Sequence, residues 1–146
     1  VYTFWKRGMP PPQMTILNAP TREACIARRE RTNTPLQALL LLNEQEYVKA
    51  ARRLALETLS TESKNAEARL SIMYETVTST LPDEAERSAL LGAVADMRVL
   101  YEDSPELADE LCEGVQMPKS IAKADLAAWT MLVSSLYNLD ITKTRQ

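Results

Sequence analysis

Four arginines, Arg22, Arg28, Arg29 and Arg31, fall within ten positions and form the most distinctive polar constellation in the chain. A guanidinium group is planar, permanently charged and fork-shaped, so it grips carboxylate, sulfate or phosphate through paired hydrogen bonds. Two arrangements satisfy such a cluster. The arginines reach into a folded body and pair with its carboxylates and helix C-terminal carbonyls, or they converge on an external anion such as a sulfate or uronate group of a glycan. No companion base or nucleophile accompanies them, which favours the structural arrangement.

Other chemistries are narrowed by what the chain holds. Histidine is absent, which removes the imidazole general base, every His-based triad and the CxxCH haem attachment from this segment. Cys25 and Cys112 stand 87 positions apart and match no zinc spacing. They form one disulfide or remain two buried thiols, and a helical domain of this size needs no staple, which favours the thiols. From Asp83 to Glu113 ten carboxylates face two arginines. Paired carboxylates hydrolyse glycosides and clustered ones hold calcium. No D-x-D-x-D-G loop appears, however, and helical spacing puts most of these residues on polar faces, where a solvated surface is expected. GxGxxG, GxxxxGK[ST] and GxSxG are also missing. Met73, Met97 and Met131 lie on apolar helical stripes as gap-fillers, and Trp129 reads as a core anchor. The segment is expected to hold no metal and no cofactor and to carry no catalytic residue.

The elements that position these residues are helical. Only three glycines occur in 146 residues, and no stretch alternates with period two over a useful length. Residues 1–34 read as an irregular strap that covers the body. It has an aromatic cluster (Tyr2, Phe4, Trp5), an extended polyproline path at Pro10-Pro11-Pro12, and a turn at Asn18-Ala19-Pro20-Thr21. A short helix is predicted over Arg22 to Arg28. Residues 35–146 read as the helical body. Thr34, Pro35 and Gln37 spell a capping box that opens a first helix, and the run Ala38–Leu42 looks like the start of a buried one. Asn43 with Glu46 caps a second helix to about Leu59, with Val48, Ala51, Ala55 and Leu59 inward.

Beyond a turn at Ser60-Thr61-Glu62-Ser63, Ala66, Leu70, Met73 and Val77 stripe a third helix, which Leu81-Pro82 stops. Asp83 and Glu86 cap a fourth, which buries Leu90, Val94, Met97 and Tyr101. Ser104-Pro105-Glu106 restarts a short fifth through Leu107 and Leu111, closed by Gly114. The last begins near Ser120 and turns Leu126, Trp129, Val133 and Leu136 inward. The fold class is therefore all-α, a bundle of five or six helices with a Pro- and Arg-rich N-terminal strap.

Charge refines the partner expectations. Residues 1–34 carry six basic and two acidic side chains, residues 35–146 eleven basic and eighteen acidic, for a net charge of −3. Nucleic acid requires a wide positive face, so six cations beside an acidic body are better explained by internal pairing, and no nucleic-acid partner is expected. The longest apolar run is far too short to cross a bilayer, and no transmembrane segment is expected.

RRERTNTPLQALLLLN (Arg28 to Asn43) can be combined with Tyr2-Thr3-Phe4-Trp5-Lys6-Arg7, Pro10-Pro11-Pro12, Asn18-Ala19-Pro20, Arg22-Glu23 and Cys25. Together they resemble the C-terminal domain of unknown function of planctomycete-type cytochrome c proteins, the planctomycete PSD-one domain. Ala127-Ala128-Trp129 through Asn138-Leu139-Asp140 resembles that family's ending, AAW followed by NLDE. Leu17-Asn18-Ala19-Pro20 stands where the family usually has Phe-Asp-Ala-Pro, and Ile141 where an acidic residue often follows. The resemblance implies a C-terminal fragment of a large exported protein, periplasmic or envelope-located, with a c-type haem elsewhere in the parent. It further implies that the upstream domains of the same polypeptide are the partner of a docking or structural module. The alternative it leaves open is a part of a polysaccharide-binding or polysaccharide-degrading enzyme that meets an anionic polysaccharide through the arginines.

Overall fold

The computed structural model describes residues 4, 6, 8–20, 25–28, 32–61 and 65–143. Among them eight helices occur: α1 (Pro12–Ile16), α2 (Pro35–Asn43), α3 (Gln45–Ser60), α4 (Ala66–Thr78), α5 (Glu84–Asp103), α6 (Pro105–Leu111), α7 (Lys123–Tyr137) and α8 (Asp140–Lys143). The protein is all-α. Six of these helices, α2 to α7, are those the sequence predicts, and α1 and α8 are short additions. Tyr2, Trp5, Thr21, Glu62 and Ser63, named above in the aromatic cluster and the turns, lie outside the described residues.

The body is organised around α7, whose residues 126–130, 132–134 and 136 are all buried. A helix apolar on nearly every side must be enclosed, and α7 packs most extensively on α3 and α5 and also meets α4, α6, α2 and α8. The Cα atoms of α3 and α5 do not come within 8 Å of one another, and α7 packs against both. Small residues help it fit: Ala51, Ala55 and Ala128 are fully buried in one core with Leu70, Met73, Leu126, Trp129, Leu132 and Leu136. Buried hydroxyls in this core bond within their own helices, Thr130 to the Leu126 carbonyl at 2.7 Å and Thr58 to that of Leu54 at 2.9 Å. Such back-bonding satisfies the hydroxyl without a second polar partner.

Both capping boxes form as the sequence predicts, at Thr34/Gln37 and Asp83/Glu86. The Glu86 carboxylate also accepts from the Tyr74 hydroxyl at 3.1 Å, which ties α4 to the start of α5. All ten carboxylates from Asp83 to Glu113 are exposed, as expected of a solvated face. Arg98 passes over its near neighbour Asp96 and pairs with Glu102 at 2.9 Å and Asp125 at 3.3 Å, in keeping with helical spacing.

Several local expectations are corrected. Pro12 starts α1 instead of extending a polyproline path, because a proline at the first helical position loses no hydrogen bond there. The helix ends in a Schellman motif, with Asn18 at φ 56° and bonds from Ala19 N–H to Met14 O and Asn18 N–H to Thr15 O. Residues 25–28 are not helical; Ile26 is half in solvent, so no buried apolar face rewards a helix there. Asn43 ends α2 from within, its amide donating to the Leu39 carbonyl, and Glu44 makes the break. α7 starts at Lys123, about three residues later than its predicted start. α2 itself is not a buried helix: only Gln37 and Leu41 are enclosed.

Candidate functional site

Among the described residues the strap meets the body through amides and hydroxyls. The Gln37 side chain is buried and makes three bonds: Nε2 donates to the Ile16 carbonyl and to Thr32 Oγ1, both at 2.9 Å, and Oε1 accepts from Thr34 N–H at 3.1 Å. Thr32 Oγ1 accepts a second bond from Asn18 Nδ2 at 2.6 Å. Asn33 Nδ2 reaches Asp140 Oδ1 at the start of α8, 3.0 Å away. One buried glutamine thus serves as capping residue of α2 and as anchor for the turn after α1.

Between this strap and the body lies a cleft of about 720 Å³. Its strap side is lined by Leu17, Asn18, Arg28 and Thr32, and its body side by Leu41 of α2, Tyr47 of α3, and Tyr137, Thr142 and Lys143 around α8. Arg28 is exposed and makes no ion pair with any described residue. Arg22, Arg29 and Arg31 lie outside the described residues, so of the predicted arginine cluster only Arg28 is placed, at the edge of the cleft. Sequence reasoning missed Lys143 and the two tyrosines. They are far apart in the chain, and only the packing of α3 and α8 on α7 brings them to one opening. Burial pushes the Tyr137 phenol above its ordinary range, further from the physiological pH at which any tyrosine is already neutral.

A different arginine grips helix carbonyls. Arg52 Nη1 on α3 donates to the Leu111 and Glu113 carbonyls at 2.7 and 3.2 Å, satisfying the open C-terminal end of α6.

The cysteines divide. Both are free thiols, Cys112 buried and Cys25 exposed, so the expectation of two buried thiols holds for Cys112 and is corrected for Cys25. Burial raises the Cys112 thiol pKa, against the opposing pull of Arg52 and Lys123. The thiolate is the reactive form. An aromatic disulfide reagent is therefore expected to label Cys25 in a fast phase and Cys112 only as the core opens. Two fast phases in the native protein would contradict the placement of Cys112.

Among the described residues no group of three or more cysteine or carboxylate side chains could hold a metal ion, and no helix is long and apolar enough to cross a membrane. A family model described as PSD1, protein of unknown function (DUF1553), matches residues 1–94. The match runs through the strap and on to the middle of α5, and α6, α7 and α8 lie beyond it. No curated protein and no solved structure matches the chain. With about two thirds of its length under that match, the chain belongs to the PSD1 (DUF1553) family of proteins of unknown function.

Proposed function

We propose that the chain is a non-catalytic helical module that docks onto other domains of a larger polypeptide. The observation that carries this reading is the outward face of α2, where Leu36, Leu39 and Leu42 are 55%, 59% and 41% exposed. Their spacing of three places them along one side of the helix. A solvated helix with α2's length of chain normally turns leucines inward and amides outward. Here the glutamine is buried and three leucines face water, an inversion that a covering partner surface would correct. The strap contributes two more exposed apolar side chains, Phe4 and Met9. Placement in the cell envelope, beside a companion domain that carries c-type haem, is supported by the motif resemblance alone.

The test is a calorimetric titration of this chain with the remaining domains of its parent polypeptide, supplied as a separate protein. Saturable binding with a negative heat-capacity change is expected, because apolar surface is buried. A Leu36→Gln/Leu39→Gln/Leu42→Gln variant should keep its melting temperature and bind at least about tenfold more weakly. If the wild type fails to bind, docking is wrong; if the triple variant binds equally well, the leucine face is not the interface.

A further inference from the structure

The cleft beneath the strap has a chemical character that docking does not use. At about 720 Å³ it falls within the range of small-molecule sites, roughly 300–1,000 Å³. Two cations line it, Arg28 from the strap and Lys143 from the C-terminal end of α8, and none of the described lining residues is acidic. Neither cation has a carboxylate partner among the described residues. Elsewhere on this acidic protein Lys49, Arg53, Arg87, Arg98 and Lys123 are paired, whereas Lys6, Arg69 and Lys119 have no carboxylate partner among the described residues.

Hydrogen-bonding capacity points the same way. Both amide hydrogens of Gln37 are spent on Ile16 and Thr32, and the Thr142 hydroxyl donates to the Leu136 carbonyl at 2.8 Å. The guanidinium of Arg28, the ammonium of Lys143, the hydroxyls of Tyr47 and Tyr137 and the Asn18 Oδ1 at the cleft have no described partner. The two cations can only donate and outweigh the single amide acceptor, so the complementary ligand offers acceptors and carries negative charge. Leu17, Leu41 and the faces of the two half-buried tyrosines supply an apolar wall suited to a ring.

We propose that this cleft binds a small ring-bearing carboxylate, with the carboxylate held by Arg28 and Lys143 and the ring against Tyr47 and Tyr137. Two sources share this chemistry, aromatic acids and the uronic acids of glycans. The proposal is independent of the docking reading, since the leucines of α2 that carry that reading do not line the cleft.

The experiment is calorimetry on the full chain with 3-phenylpropionate, its neutral analogue 3-phenylpropan-1-ol, and D-galacturonate. At least one acid is expected to bind saturably, and the alcohol at least about tenfold more weakly than 3-phenylpropionate if that acid binds, since charged hydrogen bonds carry the recognition. The acid that binds more tightly identifies the source. An Arg28→Gln/Lys143→Gln variant should lose about tenfold or more in affinity for that acid with an unchanged melting temperature. Failure of both acids to bind, an alcohol that binds as well as its acid, or a charge-neutralised variant that binds like the wild type would each overturn the assignment.

Discussion

Leu132→Ala is expected to lower the unfolding free energy by about 2–5 kcal/mol, toward the upper part of that range. Leu132 is 1% exposed and sits in the one core cluster that joins α3, α4, α5 and α7. The cost of removing its side chain has two parts, the lost transfer free energy and the void left behind. The second part depends on whether neighbours can collapse into the space. Around α7 they are held from several sides, because α3 and α5 both seat on it. Urea denaturation checks the result. Leu100→Ala on α5 serves as comparison, since Leu100 is 53% exposed and should shift stability by no more than about 0.5 kcal/mol. A loss below about 1 kcal/mol for Leu132→Ala would show that α7 is not the enclosed centre of the bundle.

Gln37→Leu should cost about 2 kcal/mol and release the strap, although the side chain it introduces is apolar and of similar size. The substitution leaves Thr34 N–H and the Ile16 carbonyl without the partners they have in the native protein, and a polar group stranded in this way costs about 1–3 kcal/mol. The Thr34 hydroxyl would still accept from the backbone N–H of residue 37, so α2 should survive while the strap detaches. Trypsin cleavage after Arg28, which is already exposed but held in the native strap, should then accelerate well before global unfolding. Gln37→Glu separates the two jobs. A carboxylate can still accept from Thr34 N–H but cannot donate to Ile16 or Thr32, so it should keep the helix cap and lose the strap. Equal protection from trypsin in both variants and the wild type would mean that the glutamine does not hold the strap.

The leucine run of α2 shows why part of this structure was hidden from the sequence. Leu39, Leu40, Leu41 and Leu42 are chemically identical, and nothing local distinguishes the enclosed one. Only the angle at which α2 meets α3 and α7 selects Leu41. The arginines illustrate the same limit. The sequence offered a cluster suited to capping helix carbonyls, and among the described residues that task falls to Arg52 on α3. Its partner carbonyls lie about sixty positions away in the chain, beyond the reach of any spacing rule.

The helical class, both capping boxes and most of the inward stripes on α3, α4, α5 and α7 are legible in the chain before any fold is considered. These depend on interactions within four residues or on the 3.6-residue period, so the chain carries them before it folds. Three features emerge from packing: α7 is the enclosed centre, Gln37 anchors the strap, and Arg28, Lys143, Tyr47 and Tyr137 share one cleft. Each of those facts joins residues far apart in the chain, and their nearness is fixed by which helix faces pack together, a property of the assembled bundle and not of any segment.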